Sequence, residues 1–257
     1  MKKKALRKDF YIEIKRSLGR FLSIFFIVAL GVSFFSGIRA AEPDMRLSGD
    51  EYFDEHNLAD MKVISTFGLT DGDVKALEKV EGVQKAEYGY SVDAVCKIDD
   101  SKKVIHVMSA LPTMNRAEVH EGRMPETQNE CFVDIDFLNG SGYKVGDEIQ
   151  LESGTDDPLT DSLRNETYKI VGAGSSPCYI SFERGSSTIG TGEVSGFMIV
   201  APEAFAMEVY TECYLTIDEA IDEIAFTKGY TDKVDSVMER VEGIKDIRCK
   251  ARRDDIT

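Results

Sequence analysis

The chain contains no tryptophan, three histidines and six prolines among 257 residues. His56, His106 and His120 lie far apart, so no pair of imidazoles has the close spacing of a zinc or haem site. Five cysteines, Cys96, Cys131, Cys178, Cys213 and Cys249, occur singly, with gaps of 35, 47, 35 and 36 residues. That excludes a paired-cysteine metal motif. In an oxidising compartment the odd count leaves room for one or two disulfides and a spare thiol, and unpaired, buried thiols are the alternative. Connectivity stays open. No P-loop, no Gly-x-Ser-x-Gly elbow and no EF-hand spacing occurs. No residue is therefore assigned a catalytic, cofactor-binding or metal-binding role, and no cofactor is expected. Gly172-Ala173-Gly174 lacks the third glycine and the parallel βαβ setting of a dinucleotide fingerprint, and is expected to be a loop.

Long hydrophobic runs are also scarce, which makes the single one informative. Between Arg20 and Arg39 lies FLSIFFIVALGVSFFSGI, residues 21–38, without charge, Asn or Gln. At about 1.5 Å per residue it reaches ~27 Å as a helix, close to the ~30 Å hydrocarbon core of a bilayer. Residues 1–39 hold nine Lys or Arg against Asp9 and Glu13, a net of +7; 22 basic and 44 acidic residues remain for the rest. The basic side of a span faces the cytoplasm. The expected layout is a cytoplasmic basic amphipathic segment at 1–20, a transmembrane helix at 21–38 and an acidic extracytoplasmic remainder in the plasma membrane. A cleaved signal peptide is the rival; it wants a shorter apolar core, and cleavage after Ala41 would put Arg39 where a small residue belongs. An acidic body repels phosphate backbones, so nucleic acid is excluded as a partner.

After the span comes a polar approach at 39–60, with Pro43 and Gly49. MKVISTF (61–67) reads as a strand. Thr70-Asp71-Gly72-Asp73 then supplies cap oxygens for a helix marked by Val74, Leu77 and Val80 and stopped by Gly82. From Val83 the helical period gives way to strand-like runs: VQKAEYGYSVDAVCKI, KVIHVMSAL, ECFVDIDF, DEIQLES and TYKIVGA. Asp99-Asp100-Ser101, Pro112, Asn139-Gly140-Ser141-Gly142 and Asp156-Asp157-Pro158 punctuate them. A Gly/Ser-rich loop at 185–196 leads to a strand at 197–200, a Pro-initiated turn at 202–205, the strand ECYLTI (212–217) and a helix at 231–241. Glu78-Lys79-Val80-Glu81-Gly82-Val83 matches Glu239-Arg240-Val241-Glu242-Gly243-Ile244 class for class. This weak repeat suggests strand-helix pairs at both ends of the domain, each helix closed by glycine, with the β material inserted between them. The fold class expected is α+β.

Acid clusters at Asp134/Asp136, Asp156/Asp157 and Asp218/Glu219/Asp222/Glu223 have the residue types for calcium or for acid–base work, but in so acidic a chain they are expected to be solvated surface. Phe197, Met198, Phe205, Met207, Val209 and Tyr210 either line a groove for a lipid or peptide or, the expected outcome, pack between the β body and the second helix.

Several stretches, taken in order, resemble the FtsX-like and MacB-like permease subunits of ABC transporters, in particular the large permeases of Gram-positive bacteria. The basic stretch KDFYIEIKRSLGR leads into the span. Glu121-Gly122-Arg123-Met124-Pro125 with Glu130, then Lys144-Val145-Gly146-Asp147-Glu148-Ile149, then Tyr168-Lys169-Ile170-Val171-Gly172 resemble marks of the MacB periplasmic core. Gly122 and Pro125 bracket one turn and Gly146-Asp147 forms another, so the group reads as a small β-barrel or sandwich. The resemblance implies a MacB-core-like domain at 61–250 that transmits conformational change, a cytoplasmic ATPase partner that hydrolyses ATP, and further permease helices or a second permease copy beside this span in the lipid bilayer. The family carries at least three more spans. None follows here, so the chain is expected to be an N-terminal fragment, with 251–257 the start of a following segment. A single-span extracellular binding or sensor module without transport activity is the alternative.

Overall fold

The computed structural model describes Lys2–Ile98 and Ser101–Ile256; the turn expected at Asp99-Asp100 lies outside the described residues, as does Thr257. The chain divides into two compact units, Met1–Gly49 and Asp50–Thr257.

The first unit consists of helix α1, which spans Lys2–Glu55 and so ends within the second. Its part from Lys15 is long and apolar enough to cross a membrane, the most apolar 18-residue window having a mean hydropathy of 2.3. Along the apolar run even the large side chains are exposed, Phe34 at 73% and Leu30 at 69%, as expected of a helix whose solvent is not water. The approach segment after the span is helical too: α1 continues through Pro43 to Glu55. Proline removes one backbone donor, but Ala40 and Ala41 before it and an Arg46–Glu42 pair at 3.3 Å across it favour helix on both sides.

The second unit holds two sheets. The smaller has three antiparallel strands in the order β1 (Met61–Leu69), β10 (Tyr210–Ile217), β2 (Val83–Gly89). Two helices cover one face: α2 (Asp71–Leu77) and α4 (Lys228–Ile256). Cys213, Leu215 and Ile217 alternate onto that face and pack with Leu69, Val74, Leu77, Val83 and Val237. Tyr230, Val234, Val237, Val241 and Ile244 form the α4 stripe that meets them. Arg248 Nε then reaches Asp73 Oδ1 at 2.7 Å, locking α4 onto the first turn of α2.

The two ends of the domain thus share a sheet, but the repeated hexapeptides do not share a structure. Helix α2 stops at Leu77, and Gly82 turns the chain at φ +91° into β2. Gly243 lies inside α4, which runs on past Lys250. The difference is tertiary: a return strand follows at Val83, whereas at Gly243 the helix face stays on its sheet and nothing demands a turn.

The larger sheet comprises β3 (Ser91–Ile98), β4 (Ser101–Ser109), β5 (Glu118–Gly122), β6 (Glu130–Asp134), β7 (Glu148–Glu152), β8 (Thr167–Ser175) and β9 (Val194–Val200). Its order is β5-β8-β6-β9-β4-β3-β7, and β7 also pairs with β8. Six strands therefore close into a barrel, with β5 attached outside β8, and a closed sheet has few free edges to protect. Ala94, Cys96, Ile105, Val107, Cys131, Val133, Ile149, Leu151, Tyr168, Ile170, Met198 and Val200 fill it, each at most 1% exposed.

Two local expectations are corrected. ECFVDIDF is a strand only to Asp134, whose side chain accepts from Asp136 N at 3.0 Å and starts a short helix, α3 (Ile135–Ser141), that plugs the barrel with Phe137 and Leu138. Gly172-Ala173-Gly174 is not a loop but the middle of β8. A side chain at Gly172 would strike the Arg123 carbonyl, and one at Gly174 the Glu118 carbonyl, so both glycines admit the close approach of β5.

Candidate functional site: the junction of the two sheets

The face of the small sheet turned away from α2 and α4 carries Lys62, Glu212 and Tyr214, with Lys85 and Glu87. Two of these are buried carboxylates. Glu212, 5% exposed, forms an ion pair with Lys62 and accepts from the Tyr214 hydroxyl and, at 2.8 Å, from Ser91 Oγ at the start of the barrel. Glu87, also 5% exposed, accepts from Lys85 Nζ and Thr113 Oγ1 at 2.6 Å each, Met114 N at 3.0 Å and Thr113 N at 3.1 Å. Burial alone would raise the pKa of both. Around Glu87 the Lys85 ammonium and the Thr113 and Met114 donors, and around Glu212 Lys62, Tyr214 and Ser91, more than reverse that and hold each below the ordinary glutamate value.

Glu87 grips the segment between β4 and β5, and the end of α1 grips it from the other side. Asn57 Nδ2 donates to Thr113 O, Asn115 N to Asn57 O and Arg116 N to His56 O, each at 2.9 Å. Asn115 Oδ1 accepts from Ala59 N at 2.9 Å, and Arg116 Nη2 donates to Glu55 O at 2.5 Å. Asn57 and Asn115 both adopt left-handed backbone, φ +50° and +51°, which asparagine tolerates better than most residues. Residues 113–116 thus form a strap between the last turn of α1 and the small sheet.

The strap also walls a cleft of about 310 Å³ between the sheets. Tyr90, Met108, Leu111, Met114, Met124 and Ile199 line it, with Glu212 and Tyr214 at its polar end. On the last turns of α1, Asp50 Oδ1 accepts from Ala225 N at 2.6 Å and Phe53 meets Phe226 edge-on at 5.8 Å; between α1 and β1, Asp60 accepts from Tyr230 OH at 2.7 Å and Ile217 N at 2.8 Å. The end of α1 is therefore bonded to the segment that leads into α4, and Asp60 to α4 itself. Burial raises the Asp60 pKa despite both bonds.

A third polar group pins the long excursion between β8 and β9. Arg184 pairs with Asp134 at 2.6 Å and Asp136 at 2.8 Å, and Tyr179 stacks on Phe197 at 5.2 Å. Asp134 is 1% exposed, so this member of the acid cluster is not solvated; its charge is neutralised by Arg184. Ser187 Oγ and His106 Nδ1 both bond Asp93, at 2.6 Å each. The three residue types of a hydrolytic triad are present, but the serine bonds the carboxylate instead of the imidazole, which leaves it without a base.

Phe197, Met198 and Phe205 are core residues, at 1%, 0% and 3% exposure; they pack in and against the barrel, not against α4. Among the described residues all five cysteines are free thiols, with Cys96, Cys131 and Cys213 buried, and no cluster of three or more His, Cys, Asp or Glu residues has the geometry to hold a metal. Sequence reasoning missed Asn57, Glu87, Asn115, Arg184 and Glu212. Only the two glutamates carried a faint signal, as charges inside runs that read as strands.

The chain is similar to several solved domains, among them these two. One is the extracellular domain of the noncanonic ABC-type transporter YknZ from Gram-positive bacteria, with a TM-score of 0.38 at 10% identity over 60% of this chain and 75% of that one. The other is the periplasmic region of MacB from Actinobacillus actinomycetemcomitans, with a TM-score of 0.38 at 8% identity over 71% of this chain and 75% of that one. No family model and no curated protein matches. The expected α+β class, one apolar N-terminal helix followed by a β-rich domain, is the class observed.

Proposed function

We propose that the chain is the membrane-anchored N-terminal part of an FtsX/MacB-like ABC permease subunit. Residues 1–20 face a cytoplasmic ATPase, 21–38 cross the bilayer, and the acidic domain conveys ATP-driven movement outside the cell. The observation that carries this reading is the end of α1. Asp50–Ala59 bonds the strap of the β4–β5 connection and the segment before α4, and Asp60 just beyond bonds β10 and α4, so a helix that moves has a grip on several parts of the domain. ATP hydrolysis belongs to the partner, and further permease helices or a second copy complete the membrane portion. Co-expression of the full-length permease with an ATP-binding subunit, followed by affinity purification, is expected to recover both; a folded protein that never retains the ATPase would overturn the proposal. Cysteine labelling at Ser17 and Ser153 is expected to place the first inside and the second outside.

The cleft supports a second reading, a single-span module that binds an extracellular ligand. It would prevail if the complex with an ATPase failed to form while a ligand protected the cleft from hydrogen exchange.

A further inference from the structure

We propose that the strap Thr113–Arg116 is a latch that couples the last turn of α1 to the wall of the inter-sheet cleft. The strap belongs to no helix or strand, and its polar groups are divided between two masters. Asn115 and Arg116 donate their backbone N–H groups to α1-side carbonyls, those of Asn57 and His56. Thr113 and Met114 donate theirs to the carboxylate of Glu87 on the small sheet. Four consecutive amides thus bond outside the strap: two to the helix end, two to the sheet. Between the two sets sits the Met114 side chain, 1% exposed, which lines the cleft. If Glu55–Asn57 shifts, Asn115 and Arg116 follow or lose their bonds. If they follow, Met114 is pulled with them against its bond to Glu87; if they let go, the cleft wall is held from the sheet side alone. Coupling of this kind is reciprocal by linkage, so loosening the Glu87 side must loosen the α1 side.

The coupling does not depend on what the membrane portion does, and residue-resolved amide exchange on the full chain in lipid nanodiscs tests it apart from the permease reading. Asn57→Gly tolerates the left-handed backbone and removes the side chain whose Nδ2 bonds Thr113 O. It is expected to speed exchange of the Thr113 amide, which bonds Glu87 and lies outside the peptide unit that Asn57 touches, about tenfold or more. Glu87→Gln is expected to speed exchange at Ala59 and Arg116, bonded on the far side, by a similar factor. Amides of β6 and β9 report that the barrel stays folded in both. Loosening confined to the altered side, with less than about a twofold change across the strap, would overturn the latch. If Glu87→Gln fails to fold, Thr113→Val removes one bond to Glu87 from the same side and carries the same expectation for Ala59 and Arg116.

Discussion

The barrel and the three-stranded sheet are built on opposite plans. The barrel draws its six strands from one continuous stretch, residues 91–200, and closes on itself around side chains with almost no exposure. The small sheet takes β1 and β2 from before that stretch and β10 from after it, so its central strand arrives last. Its central strand is fully covered at Cys213 and Leu215, but its margins keep some exposure, 7% at Leu69 and Val74 and 8% at Val83. Long-range pairing costs loop-closure entropy before contacts reward it. The folded barrel holds the ends of β2 and β10 near each other and lowers that cost. The difference teaches that the small sheet depends on the barrel, while the reverse dependence is weak.

The strongest test of this asymmetry is a pair of core truncations. Phe132→Ala in the barrel wall is expected to cost about 4 kcal/mol and to remove protection from both sheets together, read by hydrogen exchange and denaturant unfolding. Leu215→Ala in the small sheet should cost about 3 kcal/mol but leave barrel amides protected. Loss of barrel protection in the second variant would break the comparison. Arg184→Ala, which strands the buried Asp134 carboxylate, is expected to cost about 3 kcal/mol and to free the excursion between β8 and β9. Circular dichroism melts of wild type and Arg184→Ala would show it.

The junction between the two regions should respond to acid. Glu87 and Glu212 are held below the ordinary glutamate value of 4.5, so the stability they contribute is present above that value and is lost as pH falls through their lower folded-state values. Glu87→Gln is thus expected to cost about 2 kcal/mol near neutrality and progressively less below pH 4.5, measured as the gap between urea midpoints. Asp60, raised above 3.8, has the opposite sign: its contribution is full below that value and fades as pH rises through the folded one. The smallest effect belongs to α4. Gly243 has open space where a Cβ would stand, so Gly243→Ala is expected to stabilise by about 0.5–1 kcal/mol, visible as a higher melting temperature. A loss of stability there would mean that the helix does not run straight through that position.

Much of the fold was legible because its signals are local. The apolar run Phe21–Ile38 needs no tertiary context to be incompatible with water. Alternation in KVIHVMSAL and ECYLTI reported strands, and the turn residues Gly146-Asp147 marked where β7 begins. The junction was not legible. Nothing beside Glu87 in sequence announces Thr113 or Met114, and Asn57 and Asn115 meet across 58 positions. The weak hexapeptide repeat misled for the same reason, since a matching local pattern was turned into β2 at Gly82 and left helical at Gly243.

By itself the sequence determined the apolar helix, the acidic character of the domain beyond it, the α+β class and most of the strands, because each rests on short-range chemistry: hydropathy, charge and alternation. Tertiary structure alone decided that six strands close into a barrel, that β10 enters between β1 and β2, and that Glu87, Glu212 and Asp134 are buried with their partners instead of solvated. A carboxylate inside a protein is tolerable only where donors from distant segments converge on it, and that convergence is a property of the folded chain.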